Sequence, residues 1–334
     1  MCVMPSLHTS RKTTFWKNKN VLVTGGAGFL GSHVVDLLVE AGATVTITTS
    51  SGKTRNIAHL LNSVNVVTAD LTDQKKSMEV VKNQQIIIHL ASKVAGIQYN
   101  VSHPVEMFND TVQMAKNILQ AAHDNNVERV FLASSACVYP RYCTIPTPER
   151  EGFTDDPEPT NLGYGWSKRV VELMGRFYHD EYDMKIAIAR PYNLYGPRDT
   201  FDPAVSHVIP GLIKRIIDGE NPLKVWGSGR QSRSFLYVED CARGILDLTE
   251  IHPNADPVNL GDEHEITIAD LTKLIVRLAD TKTTIEFDTT KPDGQPRRSC
   301  DTKKAKKTIA FKAHTDLEAG LLNTIKWYKQ HLSF

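Results

Sequence analysis

Long apolar runs are missing from this chain, and so is any excess of one charge. No stretch approaches the ~18 consecutive apolar residues that a helical membrane span requires. The opening "MCVMPSLHTSRKTTFWKNKN" has no apolar core of the kind a secretory signal carries. Lysine and arginine together number 39 against 38 aspartates and glutamates, a net charge of +1 with no long block of either sign. That balance argues against the basic stripe of a nucleic-acid binder and the cationic face of a membrane-surface protein. Cysteine is scarce. Cys2, Cys137, Cys143, Cys241 and Cys300 are odd in number, scattered, and form no C-x-x-C pair. Neither a disulfide framework nor a zinc site follows from that spacing, so no metal and a reducing cytoplasmic compartment are expected. Internal repeats and low-complexity tracts are also missing.

What remains is a globular composition, 41% hydrophobic over 334 residues, enough for a large core. Residues 1–18 read as a poorly ordered leader. From residue 19 short apolar runs ("NVLVT", "ATVTIT", "VNVVTADL", "QIIIHLA", "RVFLASS", "MKIAIARPYN") alternate with amphipathic segments, the longest being "VEMFNDTVQMAKNILQAAHDNN" and "YGWSKRVVELMGRFYHDEY". Continuous rather than alternating apolar strands predict a parallel sheet covered on both faces. The fold class is therefore α/β: a Rossmann-type doubly wound parallel sheet over 19–198, with a smaller C-terminal α/β lobe over 199–334. There "HVIPGLIKRIIDG", "ARGILDLTEI", "ITIADLTKLIVRLA" and "DLEAGLLNTIKWYKQHL" read as helices, and "LKVWGSG", "SFLYVED" and "TIEF" as short strands. The chain is expected to cross between the lobes more than once.

"TGGAGFLG" sets Gly25, Gly28 and Gly31 in a G-x-x-G-x-x-G spacing around Phe29 and Leu30, after a strand and opening a helix. That context predicts a dinucleotide site, because glycines let backbone N–H groups approach a pyrophosphate at a helix N-terminus. The tip of the second strand reads "TITTSSGKTRN", with Thr48 and Thr49 where a ribose-binding carboxylate would stand. Ser50, Ser51, Lys53 and Arg55 would suit a 2′-phosphate, which favours NADP(H); NAD(H), held by backbone and hydroxyls alone, stays open. Asp70 and Leu71 close the third strand, where Asp70 can meet the adenine, cap the next helix, or do both. Leu90, Ala91 and Ser92 end the fourth strand, where the nicotinamide half should pass.

Tyr164 and Lys168 stand at i and i+4 in "YGWSK", on one face of a helix. A lysine cation beside a phenol is expected to lower its pKa and fit it for proton transfer at a carbonyl oxygen. With the glycine turn and an upstream serine, this set resembles the extended short-chain dehydrogenase/reductases of the nucleotide-sugar epimerase/dehydratase type. "HLAS", "SSACVYP", "RPYNLYGP" and "VWGSGRQSRSFLYVED" extend the resemblance over about residues 19–330. It implies a catalytic role for Ser135 beside Tyr164 and Lys168, a cofactor role for Asn109, Pro191 and Asn193, and a homodimer through the two long helices. Within the family, "HLASKVAGI", "NLYGPRDTFDPAVSHVIPGLIKR" and "KPDGQPRR" are similar to the GDP-L-fucose synthase group. "SSACVYP" and "WGSGRQSRSF" are similar to the GDP-mannose 3,5-epimerase group. Both resemblances imply Cys137 as an acid/base at carbon, and the first implies His207 as its partner. Thiol and imidazole, with ordinary pKa values of about 8.5 and 6.5, suit inversion beside a ketone.

The implied substrate is a nucleotide-diphosphate sugar, GDP-linked by preference. It would be met by Asn193, Val208, Arg215, Trp226, Arg233, Lys291 and Arg297, although Trp226 could equally be core. The reading favoured is NADP(H)-dependent 3,5-epimerisation and 4-reduction of a GDP-4-keto-6-deoxyhexose. A redox-neutral epimerase that retains NAD and a non-catalytic dinucleotide sensor are the alternatives.

Overall fold

Valines and isoleucines crowd both faces of the short runs, and the structure, a computed structural model, makes each run a strand, buried in all but the third, residues 64–68, which is half-buried to exposed. It describes residues 14–93, 97–203, 205–291 and 294–331. In chain order the first half carries β1 (Asn20–Thr24), α1 (Phe29–Glu40), β2 (Thr44–Thr49), β3 (Val64–Thr68), α2 (Gln74–Val81), β4 (Ile86–His89), α3 (Ile97–Ser102), α4 (Pro104–Asp124), β5 (Arg129–Ala133), α5 (Leu162–Tyr182) and β6 (Ile186–Pro191). Then come β7 (Leu194–Tyr195), α6 (Val208–Ile217), β8 (Leu223–Trp226), β9 (Ser232–Ser234), β10 (Leu236–Tyr237), α7 (Val238–Ile251), β11 (Val258–Leu260), β12 (Glu265–Thr267), α8 (Ile268–Ala279), β13 (Ile285–Asp288), β14 (Arg297–Arg298), α9 (Lys303–Ile309) and α10 (Leu317–Gln330).

Seven strands form one parallel sheet in the order β11-β6-β5-β4-β1-β2-β3. Alternation divides each strand between two cores. Val21, Val23, Ile86 and Ile88 pack under Val35 and Leu38 of α1 and Ile245 and Leu248 of α7. Leu22, Ile87, Val130 and Leu132 pack on the other face with α2, α4 and α5. Burial on both faces is why these runs read as continuously apolar. Among the described residues, no helix is long and apolar enough to cross a membrane.

Two features depart from the sequence reading. The predicted leader includes residues that pack: Trp16 is buried in the first core, and Phe15 lies against it with Arg129 over its ring at 4.9 Å. Residues 1–13 of that leader lie outside the described residues. "SFLYVED" is not one strand, because pairing stops at Tyr237 and Val238 begins α7. The sheet's last strand, β11, comes from beyond residue 198, so the chain returns to the sheet and brings α7 against α1. The smaller lobe has its own core, built on Leu212, Ile213 and Ile216 of α6, Leu271 and Ile275 of α8, and Leu321 and Ile325 of α10.

Candidate active site

The ends of β1, β4, β5 and β6 meet at one edge of the sheet, and the glycine turn opens it. Gly25 takes φ +68°, a left-handed conformation that glycine adopts without strain. A Cβ on Gly31 would stand 2.2 Å from the Gly25 carbonyl oxygen, so α1 approaches the turn more closely than any side chain permits. Gly28 is the N-cap of α1 and no side chain caps that helix end. This bare helix start in a glycine cradle fits a pyrophosphate. Asn56, which sequence reasoning passed over, ties the next loop to this turn by donating to the Ala27 carbonyl at 3.3 Å.

Thr48 and Thr49 are buried at the tip of β2, and Ser50, Ser51, Lys53 and Arg55 are exposed just beyond it. No carboxylate stands at that tip. Asp70 is exposed at the end of β3, where hydrogen bonds from the Thr72 amide and hydroxyl, 2.9 and 2.8 Å, hold its pKa down. The cap of α2 is Asp73 rather than Asp70. Leu71 is buried. The amides of Leu90 and Ala91 donate to the Thr24 hydroxyl oxygen at 3.2 and 3.1 Å, which binds the end of β4 to the end of β1. The same hydroxyl lies 2.8 Å from His89 Nδ1. Asn109 is exposed on α4, and Ser92 lies 3.3 Å from Thr111. Pro191 ends β6 opposite Leu260.

Lys168 is buried, and its ammonium donates to the Ala133 carbonyl at 2.8 Å. Burial pushes its pKa down to about 8, against the pull of Cys137 and Glu172. Its Nζ is 5.5 Å from the centre of the Tyr164 ring. The expected lowering of the Tyr164 pKa is reversed. Loss of solvent raises it, Cys137 adds to the rise, and hydrogen bonds with Ser92 and Ser135 only partly offset both. The lysine cation is spent on a carbonyl, so the phenol keeps its proton through neutral pH.

"SSACVYP" becomes a single 3-10 turn, Ala136–Val138, whose first free amide, Cys137 N, donates to Ser135 Oγ at 3.1 Å. Arg169 clamps it from α5 with two bonds to the Val138 carbonyl, 2.9 and 2.7 Å. Ser92, Ser135, Cys137, Tyr164 and Lys168 thus converge between the ends of β4 and β5 and the first turn of α5. Beneath them Glu172, one turn beyond Lys168, forms a buried bidentate pair with Arg190 at 2.7 and 2.6 Å.

A match to the "NAD dependent epimerase/dehydratase family" covers residues 21–261, from within β1 to just past β11. The chain belongs to that family. It is 30% identical to the putative GDP-L-fucose synthase 2 of Arabidopsis thaliana, over 95% of this chain and 93% of that protein. It is also 30% identical to the GDP-L-fucose synthase of Escherichia coli K12, over 94% and 97%. Among solved structures, the UDP-glucose 4-epimerase of Thermotoga maritima superposes with a TM-score of 0.85 at 26% identity, covering 94% of this chain and 99% of the other. The protein is an epimerase/dehydratase-family enzyme, with a nicotinamide dinucleotide as cofactor.

Two of the arginines expected to meet a substrate are engaged in other contacts. Arg297 is exposed and paired with Glu265 at 2.6 and 3.1 Å. Arg215 is bound by Glu220 and by the Lys224 carbonyl at 2.6 Å. The residue that reaches inward is Arg298, whose Nη2 stands 3.9 Å from Cys137 Sγ. Register explains the exchange. β14 pairs in parallel with β9, setting Arg298 beside Arg233 and Arg297 beside Ser232. Successive side chains on a strand face opposite ways, so only one of two adjacent arginines can face the thiol. Arg233 donates to the Gln295 carbonyl at 2.7 Å, and burial together with Arg298 lowers its pKa to about 10.

Asn193 donates to the Ser234 carbonyl at 2.8 Å and so ties β9 to the end of β6. Trp226 is exposed, with Lys291 Nζ 5.7 Å from its ring, so it is not core of the small lobe. Val208 is exposed on the first turn of α6. His207 is the N-cap of that helix and is exposed there, so that only partial loss of solvent lowers its pKa, and among the described residues no hydrogen bond or ion pair joins it to Cys137. Arg298→Ala is expected to reduce turnover at least tenfold, and Arg297→Ala to leave it within about twofold, since an exposed ion pair is worth only ~0–1 kcal/mol. Equal losses in steady-state assays of the two variants would contradict the register argument.

Proposed function

We propose that this enzyme inverts C3 and C5 of a GDP-4-keto-6-deoxyhexose and then reduces C4, using NADP(H). The observation that carries the reading is Cys137. A plain reductase needs an acid for the ketone oxygen, and here a thiol is set into the same hollow as Tyr164 and Lys168. A 4-keto group acidifies the C–H bonds at C3 and C5. One group takes a proton from carbon and another returns one to the opposite face, and Cys137 and His207 fill these roles.

Tyr164 then supplies the proton to the C4 oxygen, with its hydroxyl held by Ser135 and Ser92. Its raised pKa suits a group that must arrive protonated. Lys168 holds positive charge beside the developing alkoxide until the proton arrives. The hydride for C4 comes from a reduced nicotinamide dinucleotide when one is bound. Arg233 and Arg298 supply paired cations for a diphosphate, which planar guanidinium forks bind well. Lys53 and Arg55, with no acid at the tip of β2, support NADP(H) over NAD(H). We assign the dinucleotide to 19–198 with the returning β11, and the sugar to the small lobe. Dimerisation is assigned to α4 and α5, whose outer surface exposes Phe177 and Tyr182.

The test is solvent-deuterium entry at C3 and C5 of a GDP-4-keto-6-deoxyhexose, alongside oxidation of NADPH and NADH. Wild type should label both carbons and consume NADPH faster than NADH. Cys137→Ser and His207→Asn should each cut labelling by about 10²-fold or more. Equal labelling in all three would remove both residues from the mechanism. Turnover of a GDP-sugar without net cofactor use would make the enzyme a redox-neutral epimerase.

A further inference from the structure

The segment between β7 and α6 runs over the seam of the two lobes immediately ahead of His207, and it is pinned at several points. The Pro197 carbonyl meets His33 Nε2 at 3.0 Å. Arg198, at φ +69°, pairs with Asp36 of α1 at 2.7 Å, and its carbonyl accepts from Asn56 at 3.4 Å. Phe201 stacks on Trp327 and Tyr328 of α10, with centroids 5.9 and 4.4 Å apart. Between these anchors Asp199 is turned inward and is only 7% exposed. One carboxyl oxygen accepts from the Thr200 amide at 2.7 Å, and the other is buried with no hydrogen-bond partner among the described residues. A carboxylate buried in this way, with no counter-ion among the described residues, loses solvation, so the charged form opposes the seated segment.

The ionisable groups around it are otherwise engaged. Arg198 is paired with Asp36, which also holds His59 at 2.7 Å. His33 is buried, its pKa pushed down to about 4, and it stands 4.0 Å from Glu239 of α7. On α10, Lys329 donates to the Ala279 carbonyl and His331 Nδ1 faces the Trp327 carbonyl. On α6, Lys214 pairs with Asp218. Asp202, on the same segment, is exposed. None of these charges contributes to the state of Asp199, which is set by burial and opposed only by the Thr200 amide.

We propose that Asp199 is a positioning residue: its inward-turned, buried carboxyl keeps residues 198–203 seated on α1 and α10, and so sets where His207 stands. The link to His207 rests on the proton-transfer role given to that residue above. Seating itself does not. The pH dependence follows from the raised carboxyl pKa, about 7 against an ordinary 3.8. A raised acid pKa favours the seated form fully below the ordinary value. That preference is lost as pH climbs towards 7 and is constant above it.

Hydrogen exchange of the amides of residues 199–202, corrected for its intrinsic pH dependence, reads this in the full chain without substrate. In wild type the opening constant should rise with pH between 5 and 7, approaching tenfold per unit, and level off above 7. Asp199→Asn should stay protected throughout, and Asp199→Ser should do so if the amide does not fold. Identical pH dependence in wild type and a folded neutral variant would overturn the proposal, as would a flat wild-type profile. Deuterium labelling of the sugar over the same pH range then tests His207 separately. A seated segment with unchanged labelling would break the link to that residue while leaving the seating intact.

Discussion

Tyr164→Phe is expected to slow ketone reduction by about 10²–10⁴-fold while leaving dinucleotide binding within a few-fold of wild type. Only the hydroxyl is removed; the ring keeps its packing, and Lys168 keeps its bond to the Ala133 carbonyl. Proton exchange at C3 and C5 should survive, because Cys137 does not depend on the phenol for its place: Ser135 and the Arg169 clamp set it. The variant should therefore label the sugar and accumulate epimerised ketone. The pH profile supplies a second readout. Tyr164 stays protonated well above neutrality, whereas Lys168 loses its charge above about 8. Reduction in wild type should fall on the alkaline side of that value, with the base-limb pKa belonging to the lysine. Rates of NADPH oxidation and mass analysis of the sugar product check both points. A phenylalanine variant that reduces at the wild-type rate would end the role of the phenol.

The second large effect is on stability. Glu172→Gln leaves the Arg190 guanidinium buried without its counter-charge and is expected to cost about 3–5 kcal/mol in denaturant unfolding. Both partners are almost fully enclosed, at 2% and 1% side-chain exposure, so water cannot screen the loss. The damage extends beyond one pair. Ser134 donates to the same carboxylate, and Arg190 also binds the Tyr139 hydroxyl at 2.9 Å and the Glu149 carbonyl at 2.7 Å. Glu172→Gln combined with Arg190→Met should recover part of the loss, because no unpaired charge remains. Additive losses in that double variant would show that the pair matters through packing rather than charge.

The apolar strands, the glycine turn and the Tyr164–Lys168 spacing were legible because each is local. A buried parallel strand, a tight turn and one helical turn all declare themselves within about ten residues. What escaped depends on partners distant in sequence. "VNL" is too short to announce a strand, yet as β11 it completes the sheet beside β6. "KKAKKTI" looks like a solvated charge run, and only Ala305 and Ile309, buried against the sheet's core, make it α9. It is Arg298 rather than Arg297 that lies beside Cys137, and nothing in a Pro- and Gly-rich stretch reveals which way a two-residue strand faces. Tyr164 was misjudged because spacing places a lysine near it but does not show that the Ala133 carbonyl takes the proton-bearing end.

The late arrival of β11 has a consequence for how the molecule comes to be folded. Asn259 accepts the Tyr139 hydroxyl at 2.6 Å, donates from its side chain to the Thr147 carbonyl at 3.0 Å, and donates its amide to Glu149 at 2.9 Å. A nascent chain that has emerged only as far as residue 198 holds the glycine turn, the thiol and the Tyr–Lys pair, but not the strand that fastens the loop between them. The reacting groups therefore reach their working places only after the ribosome has made some sixty residues more, and a truncation at the lobe boundary would yield an open sheet edge rather than a minimal enzyme.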